Sequence, residues 1–185
     1  MASRLIRSIE KRQEKEKEWD EQEKRIRDRA TGMALLFACR SGDSVVLRFI
    51  LEKMDGDANS AVSHMLPSLQ SAICHVRADN PRDVKARLKC VELLLEHGAD
   101  INMRDGAGDT PLATAIRKGC LEIAELLIDR GAVIMGITAD GENVIEVAAN
   151  ERPRDGVIIE MLKARYKEMF LDFWTAAAQD SPGGL

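Results

Sequence analysis

The apolar positions of this chain recur in short helical blocks, and the blocks repeat. Leu94-Leu95-Glu96-His97-Gly98-Ala99 is answered by Leu127-Ile128-Asp129-Arg130-Gly131-Ala132. Gly98 and Gly131, Gly108 and Gly141, and Ala115 and Ala148 are each 33 positions apart. Coincident spacings of one value mark a structural repeat, whose units bury their apolar faces only by stacking on neighbours. Within one period the residues predict two helices. Thr110 can cap the first through its side-chain oxygen, and Pro111 suits the first helical position, where no N–H is needed. Gly119 and Gly131 supply the left-handed backbone that ends each helix. Ala113 and Ala115 are small enough for helices to approach closely, and Asp105 to Asp109 reads as a tight turn.

The other units match less well. The first, over about residues 28–59, puts Met33 to Leu36 where the third has Thr110 to Ala113, without Thr or Pro, and keeps Ala38, Gly42, Leu47, Ile50 and Leu51. The second, over 60–104, carries Leu69 and Ala72, then Val91, Leu94 and Leu95, with an insertion at 77–89 between them. Asn80-Pro81 is a cap followed by a first-position proline, so 82–97 reads as one long helix. The third unit is 105–137. The fourth, 138–162, has Asn143 as cap and then Val144, Ile145, Ala148, Ile158, Met161 and Leu162.

The run Thr110-Pro111-Leu112-Ala113-Thr114-Ala115, followed by Gly119, Leu126-Leu127-Ile128 and Gly131-Ala132, closely resembles the ankyrin repeat and its T-P-L-H-x-A motif. The resemblance implies an all-α solenoid of about four helix–turn–helix units whose turn tips and exposed first-helix positions face one concave side. Such proteins serve as adaptors, inhibitors, scaffolds and, in some pathogens, effectors, and they rarely do chemistry.

The flanks differ from the repeats. Residues 1–30 form a charged amino-terminal segment with i,i+4 pairs Asp20–Lys24, Glu21–Arg25 and Glu23–Arg27, each adding about 0.2–0.5 kcal/mol to a helix. Leu5, Ile9, Trp19, Ile26 and Ala30 follow a 4-3 spacing that Arg12, Glu16 and Glu23 interrupt, a poor coiled-coil seam. Two readings stay open: a solvated helix leading into the first unit, or a helix that pairs with itself or a partner through Trp19. After the fourth unit, Leu162, Tyr166, Met169 and Phe173 predict an amphipathic capping helix over 163–176, followed by a flexible tail at 177–185.

Composition narrows the class. Hydrophobic residues make up 45% of the 185 positions and aromatics only 4%, so the core must be aliphatic. No run approaches the roughly 18 apolar residues of a membrane span, and the early glutamates argue against a targeting peptide. Cys39, Cys74, Cys90 and Cys120 lie far apart among apolar neighbours, as free thiols in a reducing compartment do. The expectation is a soluble intracellular protein, cytoplasmic with the nucleus also open to it. Residues 1–30 hold 10 basic against 8 acidic residues, whereas the remainder holds 17 against 23. An acidic body is a poor surface for phosphate backbones, so no nucleic acid is expected.

The sequence carries no reaction. Asp55-Gly56-Asp57-Ala58-Asn59 opens like a calcium loop, but Ser60 stands where glycine is required and Leu66 where the bidentate Glu belongs. Gly106-Ala107-Gly108 follows no strand and lacks the partners of a phosphate cradle. His64, His75 and His97 share no metal spacing, and there is no G-x-S-x-G. No enzyme activity, cofactor or metal is expected; a ligand-binding protein or enzyme on the concave face is the remote alternative.

A protein-binding platform remains, with partner positions that the resemblance implies. The turns offer Arg104, Ala107 and Asp109, then Ile137, Asp140 and Glu142. The first helices offer Arg40 and Ser41, Cys74 and His75, Arg117 and Lys118, and Asn150 and Glu151. This stripe is basic in its middle and acidic toward the carboxyl end, which suits a partner with acidic groups facing Arg104, Arg117 and Lys118. Within 77–89, five basic residues against two acidic predict a projecting basic knob of Arg82, Lys85, Arg87 and Lys89. The alternative function is oligomerisation through residues 3–30.

Overall fold

The computed structural model describes residues 2–54, 56–59, 66–134, 141–151 and 159–168, with the side chains of 2–13, 16 and 151 outside that description. Every regular element among them is an α-helix: α1 (Ala2–Ser41), α2 (Ser44–Lys53), α3 (Ser68–Cys74), α4 (Pro81–Glu96), α5 (Pro111–Lys118), α6 (Leu121–Asp129), α7 (Val144–Glu151) and α8 (residues 159–168). They form two layers. The first helices α1, α3, α5 and α7 pack in succession, as do the second helices α2, α4 and α6, and α1/α2, α3/α4 and α5/α6 close each unit. α8 joins the second layer through Arg165, whose guanidinium pairs with Asp129 of α6.

Local chemistry starts and stops these helices. Thr110 Oγ1 accepts from the Ala113 N–H at 3.2 Å, ahead of Pro111. Asn80 Oδ1 accepts from Arg82 and Asp83, again ahead of a proline. Asn143 accepts from Ile145 and Glu146 while Glu146 accepts back from the Asn143 N–H, a reciprocal box that satisfies helix-end donors on both sides. Gly119 closes α5 with φ 69°, and Gly131 follows α6 with φ 89°. The same closure recurs a unit apart: Ala99 donates to the Leu94 carbonyl and Ala132 to that of Leu127, both at 2.9 Å.

Where those signals are missing, the helix does not break. Met33-Ala34 stands in place of Thr110-Pro111, and α1 runs unbroken across residue 30, so the charged segment and the first helix of unit one are one 40-residue helix. Likewise residue 163 falls inside α8, which begins before Leu162. Residues 169–176 of the expected capping helix and the tail at 177–185 lie outside the described residues.

The core is aliphatic and continuous from Leu35 to Leu162. Leu47, Leu69, Ile73, Leu94, Leu112, Ile116, Ile123 and Leu127 are fully buried along it, with Ala38, Ala72, Ala115 and Ala148 at equivalent first-helix positions. Those alanines let the first-layer helices approach, and the leucines of both layers fill the space between.

Candidate functional site

The turn before α5 is built by Asp105. Its Oδ1 accepts from the N–H groups of Ala107 and Asp109, both at 2.9 Å, and Gly108 turns the chain with φ 83°. Ala107 sits exposed at the tip. Arg104 is exposed and lies across the turn, donating to the Gly108 carbonyl at 2.6 Å. At the far end of α5 Lys118 is exposed, and Arg117 is half-buried with its Nε 3.2 Å from Asp109 Oδ2. Thus two predicted residues of opposite sign, Arg117 and Asp109, are paired with each other, and the outward positive charge here comes from Arg104 and Lys118. The Asp109 carbonyl also accepts from Gln70 of α3, fixing this turn to the preceding unit.

Other predicted positions lie on the same layer. Arg40 and Ser41 are exposed at the end of α1, where Ser41 donates to the Ala38 carbonyl. His75 caps α3 and is exposed; its Nδ1 lies 3.1 Å from the Ser71 carbonyl, which only accepts, so Nδ1 carries the proton. Beside it Cys74 is half-buried, and burial raises its thiol above 9.0 with Lys118 pulling it back. Glu142 accepts from Asn150 Nδ2 at 2.7 Å, so these two hold each other across α7. Ile137, Asp140 and the Glu151 side chain lie outside the described residues.

The basic knob needs correction. Arg82, Lys85 and Lys89 are exposed on α4, but Arg87 is buried. Its guanidinium donates to the carbonyls of Cys39 and Arg40 at 2.6 Å and of Ala72 at 3.3 Å, tying together the ends of α1 and α3. Charge counting missed this; periodicity would have found it, since Val84, Arg87, Val91 and Leu94 share one buried face of α4. The sequence also left unread the linking role of Asn59 and Asn102. Asn59 Oδ1 accepts from the Asp100 N–H and its amide donates to Gly98, while Asn102 Oδ1 accepts from Val133. Asp57 and Asp100 each accept from the N–H of the Asn two residues on. The repeated Asp-x-Asn was the available signal.

The thiols are shielded. Burial pushes Cys39 up to about 12 and Cys90 up to about 11, with Arg87 opposing the rise in both. No group of three or more metal-ligating side chains occurs among the described residues. No helix there is long and apolar enough to cross a membrane.

Residues 73–128 match the family model of ankyrin repeats (many copies), a span that runs from the end of α3 into α6 and holds the Asn80 and Thr110 caps. That segment is built of ankyrin repeats. It is similar to human protein phosphatase 1 regulatory subunit 27, 44% identical over 59 residues, which are 32% of this chain and 38% of that protein. It is 33% identical over 123 residues to the probable E3 ubiquitin-protein ligase XBOS33 of Oryza sativa subsp. japonica, covering 66% of this chain and 22% of the relative. A putative ankyrin repeat protein of Rickettsia bellii is 28% identical over 146 residues, 75% of this chain and 42% of the relative. This chain therefore spans less than half the length of these relatives. Ankyrin repeats mediate protein–protein interaction, and the family is generally non-catalytic.

Proposed function

We propose that this ankyrin-repeat chain is a non-catalytic platform that holds a partner protein on the face formed by the turn tips and first-helix ends. One observation carries the reading: the turn before α5 presents Arg104 and Ala107 outward and the far end of α5 presents Lys118, while Asp105, the Arg117–Asp109 pair and Gln70 anchor the turn. A surface fixed before binding loses little conformational freedom on association, so modest contacts give useful affinity. Exposed Arg104 and Lys118 favour a partner with acidic groups at this place, and steer it most strongly at low salt. The regulatory-subunit relative is named for a role in association with another protein, which fits the same reading.

The test is affinity capture by the full chain against a chain carrying Arg104→Glu, Arg117→Glu and Lys118→Glu, both checked by circular dichroism. A prey lost in the variant, with folding unchanged, supports the platform. Because Arg117→Glu also sets a like charge beside Asp109, the double variant Arg104→Glu/Lys118→Glu serves as the cleaner arm. Equal capture by all three chains refutes this face.

A further inference from the structure

We infer that the open end of unit one and an exposed stripe of α1 form a single interface that takes a second copy of this chain. The argument begins with equivalent positions, aligned on Ala38, Ala72, Ala115 and Ala148. In unit three, Thr110, Thr114 and Ile123 are buried; in unit two, Ser71, Cys90 and Leu93 are; in unit four, Val147 is. Their counterparts in unit one are Met33, Phe37, Val46 and Phe49. Phe37 is 73% exposed and Phe49 59%, against 6% for Thr114 and 4% for Leu93. α1 packs on α2 and α3, and α2 on α1 and α4, which leaves their outer sides as the face that a preceding unit covers elsewhere in the stack. A terminal unit that ends in water needs a polar outer face. This one carries two phenylalanines, a methionine and a valine.

The face continues beyond the repeats. Trp19, Ile26, Ala30, Met33 and Phe37 lie on one side of α1 at steps of seven and of three or four, and Trp19 is 71% exposed. From Trp19 to Phe37 the stripe runs roughly 27 Å at 1.5 Å per residue. Covering it takes a helix of like length, and a second α1 is one. An antiparallel two-fold pair centred on Ile26 sets Trp19 of each copy over Met33 of the other, so each amino-terminal half covers the other copy's open end. Glu23, which interrupts the 4-3 spacing between Trp19 and Ile26, pairs with Arg27 at 3.1 Å, and in the antiparallel pair these two face Arg27 and Glu23 of the second copy, a self-complementary arrangement. A parallel pair would instead set Glu18 against Glu23.

The test uses the full chain in sedimentation equilibrium from micromolar to millimolar concentration. The expected result is a reversible species of twice the 20.5 kDa chain mass. Ile26→Asp and Phe37→Glu, both at exposed positions, each weaken it about tenfold or more, the loss that follows removal of a buried anchor, with unchanged circular dichroism. Arg104→Glu/Lys118→Glu leaves the mass unchanged, which separates this interface from the platform face. Mixing Trp19→Cys and Met33→Cys chains under mild oxidation yields the mixed disulfide if the pair is antiparallel. A 20.5 kDa species at every concentration overturns the inference and leaves the face to a different protein. Trp19→Cys chains that link only to themselves overturn the antiparallel register.

Discussion

Arg87 of α4 donates to the backbone carbonyl of Cys39, 48 positions earlier in the chain, at 2.6 Å inside the core. The last carbonyls of a helix have no partner within it, and here one guanidinium serves those of α1 and α3 together while Asp83, 3.5 Å away, offsets its charge. Hydrogen bonds to a charged group contribute about 1.5–3 kcal/mol each, and a buried acceptor left alone costs more than a mean bond. Arg87→Met is therefore expected to destabilise the fold by about 3 kcal/mol, read as a lower urea midpoint. Lys85→Met and Lys89→Met, on the exposed side of the same helix, should stay within about 0.5 kcal/mol of wild type. Equal effects at all three positions would mean that Arg87 is as dispensable as a surface cation.

The same guanidinium constrains Gly42. That residue has φ 74°, and a Cβ placed on it would meet Arg87 Nε at 3.0 Å. Gly98 has φ 82° but open space around its missing Cβ. Both substitutions to Ala incur the left-handed backbone cost of about 1–2 kcal/mol. Only Gly42→Ala also displaces the side chain that holds α1 to α3, so its Tm should fall further than that of Gly98→Ala. Matching Tm values would show that Arg87 moves aside freely.

What the sequence made legible was what local chemistry writes. The Thr110-Pro111 start, the Asn80-Pro81 start and the closing glycines each act within a few residues, so their geometry is recoverable from letters alone. What the letters did not disclose depends on contacts that form only on folding. Arg87 looks like surface charge until its neighbours from residues 39, 40 and 72 are present. The Arg117–Asp109 pair is invisible until α5 folds back on its own turn. The exposed face of unit one is a third case: Met33 and Phe37 have a core-like pattern, and only the packing of α1 on α2 and α3 shows that no described residue covers them.

Asn59 and Asn102 link successive turns, and both links cross between units. In a stack whose stability is a sum of units and nearest-neighbour interfaces, such bonds act on cooperativity as well as on total stability. Asn59→Ala and Asn102→Ala should each cost about 1 kcal/mol or somewhat more, because Asn59 leaves two backbone groups without their bond and Asn102 one. Amide hydrogen exchange locates the effect: Asp100 should lose protection in the first variant and Val133 in the second, with the α4 and α6 cores changed only by the global shift. Uniform loss across the chain would mean that the links are not local clamps between turns.

The two most shielded thiols make stability fall in alkali. Cys39 is fully buried, its thiol pushed up to about 12 by that burial and by Cys90, while Cys90 itself is pushed up to about 11. The unfolded chain releases these protons near 9.0, so above that pH it holds fewer protons than the folded chain and stability declines as pH rises. The contribution is complete below 9.0 and is lost progressively toward about 11 for Cys90 and about 12 for Cys39. Urea midpoints measured from neutrality to past pH 9.0 should fall more steeply for wild type than for Cys39→Ala/Cys90→Ala. The double variant will be less stable at neutral pH because two core side chains are trimmed, but its slope against pH isolates the thiols from lysine and tyrosine titration. Parallel slopes would mean that the unfolding transition in alkali is governed by those other groups and that the buried thiols ionise without cost to the fold.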